Sequence, residues 1–134
     1  MSEPRFPPEL QLDCGPVAAI DLALFAAASG DHNPLHLDAD VARSAGFDRP
    51  VVHGMLTMAY AGRLFTRHFG PGRVRSLQTR FTGVAMLGDT VLLSATLEKI
   101  EGDLGHYNLR AQAGTGAKLA SGLAIVRLSI GECP

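Results

Sequence analysis

The spacing of hydrophobic positions changes near Gly72, and this change divides the chain into a helical part and a strand part. Upstream, apolar residues recur every three or four positions, which predicts helices over about residues 16–29, 39–45 and 54–69. Gly30 is expected to end the first helix in a left-handed conformation, and Asp38 to cap the second. The predicted apolar face of the first helix consists of Val17, Ile20, Leu24 and Ala27 or Ala28.

The third helix, from Gly54 to Phe69, is the longest, and it carries apolar residues on nearly every face of its first three turns. A helix of this kind is expected to be buried on most of its surface rather than to lie on the outside of the protein. The Gly70-Pro71-Gly72 sequence is a strong stop signal and ends it.

Downstream of Gly72 the period falls to two, as in half-buried strands. Residues 76–81, 90–100, 106–113 and 118–130 are predicted to be strands, and residues 11–14 a short edge strand. The later strands are joined by short glycine-rich turns, which favours an antiparallel meander. An apolar helix and such a sheet bury each other most economically when the sheet curls around the helix. The sequence therefore predicts a single α+β domain over residues 1–134.

The charge, cysteine content and apolar segments of the chain limit which partners and which compartment fit it. The chain has 12 Lys and Arg against 13 Asp and Glu, a formal net charge of -1, which gives no support to a nucleic acid or an anionic membrane as partner. Cys14 and Cys133 lack the spacing of a zinc site; a disulfide and two free thiols both fit, the latter being simpler. The first residues carry no apolar signal core, and no segment reaches the ~20 apolar residues of a membrane span. We expect a cytoplasmic protein.

The loop after the first helix concentrates the candidate chemistry. Within residues 29–36 it contains two imidazoles, a carboxylate and a carboxamide. Gly30 and Pro34 argue against a continuous helix here, so Asp31 and His36 are free to converge on one point. A carboxylate and an imidazole aimed at the same place are suited to moving a proton to or from water.

These residues carry a family resemblance. The chain resembles the MaoC-like (R)-specific enoyl-CoA hydratases over roughly residues 10 to 130. The matching segments are Phe25-x-x-x-Ser29-Gly30-Asp31-x-Asn33-Pro34-Leu35-His36, Ala45-Gly46-Phe47, Val52-His53-Gly54-Met55-Leu56 and Gly88-Asp89-Thr90-Val91. The resemblance implies a hotdog fold, in which an antiparallel sheet wraps a long central helix preceded by short overhanging helices. It also implies a homodimer or higher hotdog oligomer.

The resemblance further implies roles for individual residues. Asp31 and His36 match the catalytic pair of the family, and Asn33 matches a supporting residue that fixes the loop or orients the water. Gly54 matches the glycine whose backbone N–H donates to the thioester oxygen. The implied substrate is a trans-2-enoyl thioester of CoA or of an acyl carrier protein, and no metal or redox cofactor is expected. The expected substrate-binding residues are His53, Met55, Leu56, Arg73 and Arg75.

Other interpretations remain open from the sequence. Asp31 alone is also typical of an Asx turn, His36 of a core histidine bonded to a backbone carbonyl, and Gly54 of a helix cap. Arg73 and Arg75 also fit a solvated strand edge, and His53 a residue that only shapes the helix entry. The alternative functions are a dehydratase subunit acting on acyl carrier protein in type II fatty acid synthesis, a hotdog acyl-CoA thioesterase, and a non-catalytic hotdog subunit.

Overall fold

The computed structural model describes residues 6–128 of the chain. Cys133 and the predicted end of the last strand at residues 129 and 130 lie outside this range. In chain order the elements are β1 (Glu9–Pro16), α1 (Ala19–Ser29), a 3-10 turn (Pro34–His36), α2 (Ala39–Ser44), α3 (Gly54–Phe69), β2 (Val74–Phe81), β3 (Thr90–Glu101), β4 (Leu104–Ala113) and β5 (Lys118–Arg127).

The five strands form one antiparallel sheet in the order β1-β3-β4-β5-β2. Strands β3, β4 and β5 form the predicted meander, and β1 is an edge strand as predicted. The meander prediction is wrong for β2, which pairs with β5 at the opposite edge and not with its successor β3. The reason is residues 82–89, which cross from one side of the sheet to the other before β3 begins.

Helix α3 packs on the sheet through one face. Leu64 and Phe65 are fully buried, whereas Met55 at the first turn is 57% exposed. The prediction of a helix buried on nearly all sides is therefore wrong for the single chain, because the sheet covers only the face that points toward it. None of the helices among residues 6–128 is long and apolar enough to cross a membrane.

Helix α1 ends where predicted, but it begins at Ala19 rather than near residue 16, which belongs to β1, and it presents a different face. Gly30 has the expected left-handed conformation, with φ 79°. The buried residues are Leu22 and Ala26, whereas Ile20 and Leu24 are 62% and 61% exposed. The predicted face was wrong because this alanine-rich helix carries apolar residues on all of its sides, so its periodicity does not single out one side.

The crossing segment holds the chain in place just before α3. The N–H of Val52 donates to the carbonyl of Ala85, and the N–H of Leu87 donates to the carbonyl of Pro50, both at 2.8 Å. The Asp89 carboxylate in turn accepts the N–H of Met86 at 2.9 Å. Residues 50–52 are therefore fixed from outside, which also fixes where α3 begins.

Candidate active site

The loop between α1 and α2 is shaped by its own polar side chains. The N–H of Asp31 donates to the Ser29 hydroxyl at 3.2 Å, and the Asp31 carboxylate accepts the N–H of Asn33 at 3.3 Å. The side-chain oxygen of Asn33 accepts the N–H of Leu35 at 3.0 Å and so caps the 3-10 turn. Both residues thus make the local turns that favour this loop. The loop geometry carries the Asp31 and His36 side chains toward each other.

Asp31 and His36 face one another across a short gap. Asp31 Oδ2 lies 3.7 Å from His36 Nε2, with 49% of the aspartate side chain and 12% of the histidine side chain exposed. This separation is longer than a direct hydrogen bond, and a polar gap of that size is one that a water molecule can bridge. The pair is therefore open to solvent and placed to contact a single water.

The hydrogen-bond partner of His36 determines which of its nitrogens is free. His36 Nδ1 lies 2.6 Å from the backbone carbonyl of Val51, which can only accept a hydrogen bond, so Nδ1 carries the hydrogen. In the neutral ring the lone pair is then on Nε2, the nitrogen that faces Asp31. The bond to a backbone carbonyl expected of a core histidine is present, and it orients Nε2 as a proton acceptor.

His53 lies behind this pair, with only 1% of its surface exposed. Its ring stacks on that of His36 with 3.8 Å between centroids and 20° between planes, and the Phe25 ring contacts its other side edge-on. His53 Nε2 lies 3.2 Å from the backbone carbonyl of Asp31, whereas Nδ1 is buried without a partner. Burial lowers the pKa of His53 and favours the neutral ring.

Two of the predicted substrate-binding residues are not available to a ligand at the surface. The His53 ring is enclosed by Phe25 and His36. The Leu56 side chain is 7% exposed and belongs to the hydrophobic core under α3. Substrate contact by these two residues stays a prediction. Met55, by contrast, is exposed next to Gly54.

Arg73 and Arg75 are not brought to the Asp31–His36 pair. Arg73 lies just before β2 and Arg75 is its second residue, whereas Phe81 at its end is the residue that contacts Gly54. The six residue-to-residue steps from Arg75 to Phe81 span about 20 Å in a strand. A bulge at Arg75 also interrupts the alternation of the strand. Contact of these arginines with a remote part of a substrate stays a prediction.

Gly54 begins α3, and the first N–H groups of a helix have no partner within it. They also lie at the positive end of the helix dipole. A Cβ at position 54 would meet only the Phe81 ring, at 3.5 Å, an ordinary contact, and Gly54 has no positive φ. The fold therefore does not require glycine here, and the absent side chain leaves the backbone N–H open to close approach by a ligand.

The three polar side chains of the site also raise the question of a metal. Ligand atoms of Asp31, His36 and His53 lie within 4.8 Å of one another. However, the two imidazoles are stacked, so their lone pairs run in nearly parallel planes and do not converge on one ion. One nitrogen of each ring is also engaged by a backbone carbonyl. The donor set is thus better suited to handling a proton than to binding a metal.

Two contacts of this site were not predicted from the sequence. The Val51 carbonyl orients His36, and the Phe25 ring closes the far side of His53. A backbone carbonyl leaves no trace in the residue pattern. Phe25 was noted only as part of the family resemblance, and nothing in its spacing indicates a contact with a residue 28 positions later.

Comparison with known proteins agrees with this geometry. The (R)-specific enoyl-CoA hydratase of Aeromonas caviae is 35% identical over 114 residues, covering 82% of this chain and 85% of that protein. A probable enoyl-CoA hydratase 2 of Dictyostelium discoideum is 32% identical over 106 residues, covering 77% of this chain. The chain spans only 35% of the length of the Dictyostelium protein, and 8% of a yeast peroxisomal hydratase-dehydrogenase-epimerase that it also matches.

The fold agrees as well. The solved structure of the (R)-hydratase from A. caviae involved in PHA biosynthesis superposes with a TM-score of 0.84 at 30% identity, covering 90% of this chain and 94% of that one. The sequence model described as "MaoC like domain" matches residues 2–113. A single antiparallel sheet around one long helix, the Asp31–His36 loop and these matches lead to one conclusion: the chain belongs to the MaoC-like family of hotdog-fold domains.

Proposed function

We propose that this chain is an (R)-specific enoyl-CoA hydratase, which interconverts a trans-2-enoyl thioester and the (R)-3-hydroxyacyl thioester. The observation that carries the proposal is the orientation of His36. Its Nδ1–H is bound to the Val51 carbonyl, so the Nε2 lone pair points at the solvent-open space shared with the Asp31 carboxylate. The names of the Aeromonas and Dictyostelium relatives support the same reaction.

The proposed reaction begins with water held between Asp31 and His36. His36 Nε2 takes a proton from the water as its oxygen attacks C3 of the enoyl group, and general base catalysis of this kind contributes about 10²–10⁴-fold. The π electrons of the C2–C3 double bond form a C1–C2 double bond, and the carbonyl π electrons move onto the thioester carbonyl oxygen, where the Gly54 N–H stabilises the negative charge. The resulting enolate then collapses and C2 receives the proton from the Asp31–His36 pair, so the net change is the addition of one water.

No metal or redox cofactor enters this proposal. Hydration adds the elements of water and transfers no net electrons to or from a carrier, so the balance of the reaction requires no redox partner. The carbonyl is polarised by the N-terminus of α3, which supplies a backbone donor and a partial positive charge. The substrate is the acyl thioester of CoA or of an acyl carrier protein.

The assembly is proposed to be a homodimer or a higher hotdog oligomer. The single chain leaves large apolar side chains exposed near the start of α3, with Met55 at 57%, Val84 at 51% and Phe81 at 45%. Large apolar side chains exposed in one region are typical of protein interfaces. Sedimentation velocity of the purified protein tests this, and a monomer at micromolar concentration contradicts it.

The location is proposed to be the cytoplasm. Cys14 is a half-buried free thiol among the described residues, which is consistent with a reducing compartment. Cell fractionation followed by immunoblotting tests the proposal, and recovery of the protein in an oxidising compartment contradicts it.

The function is tested by incubating purified protein with crotonyl-CoA and following the loss of enoyl absorbance. Hydration to the (R)-3-hydroxy product, with at least a hundredfold loss of kcat in His36→Ala, supports the proposal. Release of free thiol without hydration indicates the thioesterase instead. A panel of enoyl chain lengths on CoA and on acyl carrier protein then identifies the carrier. Absence of any reaction on the whole panel contradicts an enzymatic role.

A further inference from the structure

We propose that His53 is a positioning residue for the hydration, which sets the orientation of His36 by stacking and the position of Asp31 by a hydrogen bond. The inference rests on the proposed function and assigns a role to a side chain that the reaction as written does not use. The structural basis is that one buried ring contacts both members of the pair, at 3.8 Å between ring centroids and at 3.2 Å from the Asp31 carbonyl.

The hydrogen bond fixes the tautomer of His53. The Asp31 carbonyl is an acceptor only, so Nε2 of His53 carries the hydrogen and donates it. Nδ1 is then the lone-pair nitrogen of the neutral ring, and it is buried without any partner. Nδ1 is thus inaccessible to water, and Nε2 is already bonded to the Asp31 carbonyl. His53 therefore does not exchange protons with a substrate and acts through its neighbours.

The stacking restricts the tilt of the His36 ring. The bond from Nδ1 to the Val51 carbonyl fixes one edge of this ring, and the angular tolerance of a hydrogen bond still lets the ring plane tilt. The ring of His53 lies 20° from parallel to that of His36, and the Phe25 ring packs edge-on against His53 at 4.9 Å between centroids. The two stacked imidazoles therefore keep His36 Nε2 directed at Asp31.

The same residue also connects the pair to the helix. His53 immediately precedes Gly54, the first residue of α3, and occupies the N-cap position without using its side chain as a cap. The ring is thus available to reach the loop, while the backbone places the Gly54 N–H. Loss of the ring is expected to loosen the loop relative to the helix start. Misplacement of reacting groups by about 1 Å costs on the order of 10²-fold in rate.

The test uses three substitutions that separate the two contacts. His53→Phe keeps a ring for stacking and removes the donor, His53→Gln keeps a donor and removes the ring, and His53→Ala removes both. With an enoyl thioester that the wild-type protein hydrates, we expect kcat to fall about tenfold in the first two and about a hundredfold in the third. KM is expected to stay within about threefold, because the ring does not touch the substrate.

The control is His68→Ala. His68 is an exposed histidine at the other end of α3 whose Nδ1 lies 2.8 Å from the Leu64 carbonyl, so it also bonds to a backbone carbonyl. Its kcat is expected to match the wild type. Unchanged kcat in all three folded His53 variants overturns the proposal, and so does a rise in KM at constant kcat, which indicates substrate contact. If His53→Ala does not fold, the Phe and Gln variants decide.

A second readout does not depend on activity. The Nδ1–H of His36, bonded to the Val51 carbonyl, is expected to give a slowly exchanging ring resonance by NMR in the wild type, and a faster-exchanging one in the His53 variants. An unchanged exchange rate overturns the positioning role. If the wild-type protein hydrates no enoyl thioester, the proposed function fails, while this measurement still decides whether His53 holds His36.

Discussion

The two ends of α3 differ in the side chains that contact them. At the N-terminal end, His53 precedes Gly54 and contacts both Asp31 and His36, which lie 3.7 Å apart and are not directly bonded. At the C-terminal end, the ring of Phe69 lies between those of Phe6 and Tyr107, each with 6.1 Å between centroids. One end therefore keeps polar groups available, whereas the other closes the core with aromatic contacts.

A histidine at each end makes the contrast sharper. His53 and His68 both contact a backbone carbonyl, yet His53 is 1% exposed and stacked, whereas His68 is exposed and contacts its own helix. Burial of an unpartnered ring nitrogen costs stability. The difference indicates that the side-chain geometry at the N-terminal end of α3 is kept at a loss of folding stability, whereas the C-terminal end shows no such loss. Substitutions at the two ends should consequently separate activity from stability.

The largest expected effect is that of Asp31→Asn at the N-terminal end. The carboxamide cannot take a proton, so kcat on an enoyl thioester is expected to fall about 10²–10⁴-fold. The Asn side-chain oxygen can still accept the Asn33 N–H that holds the loop, so thermal unfolding should be nearly unchanged. Steady-state kinetics and calorimetry measure both, and near-wild-type kcat would contradict the role of Asp31.

Phe65→Ala tests the aromatic contacts toward the C-terminal end of α3. The ring is fully buried and contacts Tyr107 edge-on at 5.7 Å between centroids. Its removal is expected to lower the free energy of unfolding by about 3–5 kcal/mol. Urea denaturation gives this value, while kcat per folded molecule should change little. A large loss of kcat in fully folded protein would show that the core face of α3 also controls the site.

Gly54→Ala returns to the N-terminal end. The added methyl group meets only the Phe81 ring at 3.5 Å, and the backbone conformation is ordinary, so the melting temperature should hold or rise slightly. The methyl group obstructs the approach of a thioester to the N–H, and kcat/KM is expected to fall on the order of 10²-fold. Full activity in this variant would remove the helix start from the proposed mechanism.

Tyr107→Phe has a smaller effect at the C-terminal end. The Tyr107 hydroxyl donates to the Pro7 carbonyl at 2.8 Å, and burial raises the pKa of Tyr107 to about 12, so the donor stays protonated at any working pH. Loss of this bond is expected to cost about 0.5–1.5 kcal/mol of unfolding free energy without a change in kcat. An unchanged urea midpoint would show that the bond contributes no net stability.

The smallest effect is a pH dependence at His53. Because burial lowers its pKa below the ordinary 6.5, the unfolded chain takes up a proton before the folded chain does. Stability should therefore fall as the pH drops from about 7 toward 5. The wild type is compared with His53→Phe. His36 and Asp31 also face this ring, and both residues are present in the wild type and in the variant. The melting temperature of the variant should fall less over the same range; equal slopes would contradict the assignment.

Local signals in the sequence predicted the helices well. The bounds of α3 follow from the apolar run and the glycines that flank it, and Gly30 and Asp38 stand where a helix stop and an N-cap were predicted. Each of these depends on neighbours within a few residues. The face of α1 did not follow, since alanines leave its periodicity ambiguous.

Contacts between distant segments of the sequence were harder to predict. Nothing in residues 74–81 indicates that β2 pairs with β5, because an edge strand and an inner strand share the same alternation. The convergence of Asp31 and His36 was predicted from the loop residues and the family resemblance. The stack of His53 on His36 was not, since it joins two segments through a ring contact that no spacing encodes.

The bonds between residues 50–52 and residues 85–87 constrain when the site can form. Val51 supplies the carbonyl that orients His36, and its own neighbours are held by a segment more than thirty positions later in the chain. A nascent polypeptide emerging from the ribosome therefore lacks an oriented imidazole until this later segment has been synthesised and has docked. Premature termination before residue 85 would leave the complete loop sequence present, yet without the partner that secures it.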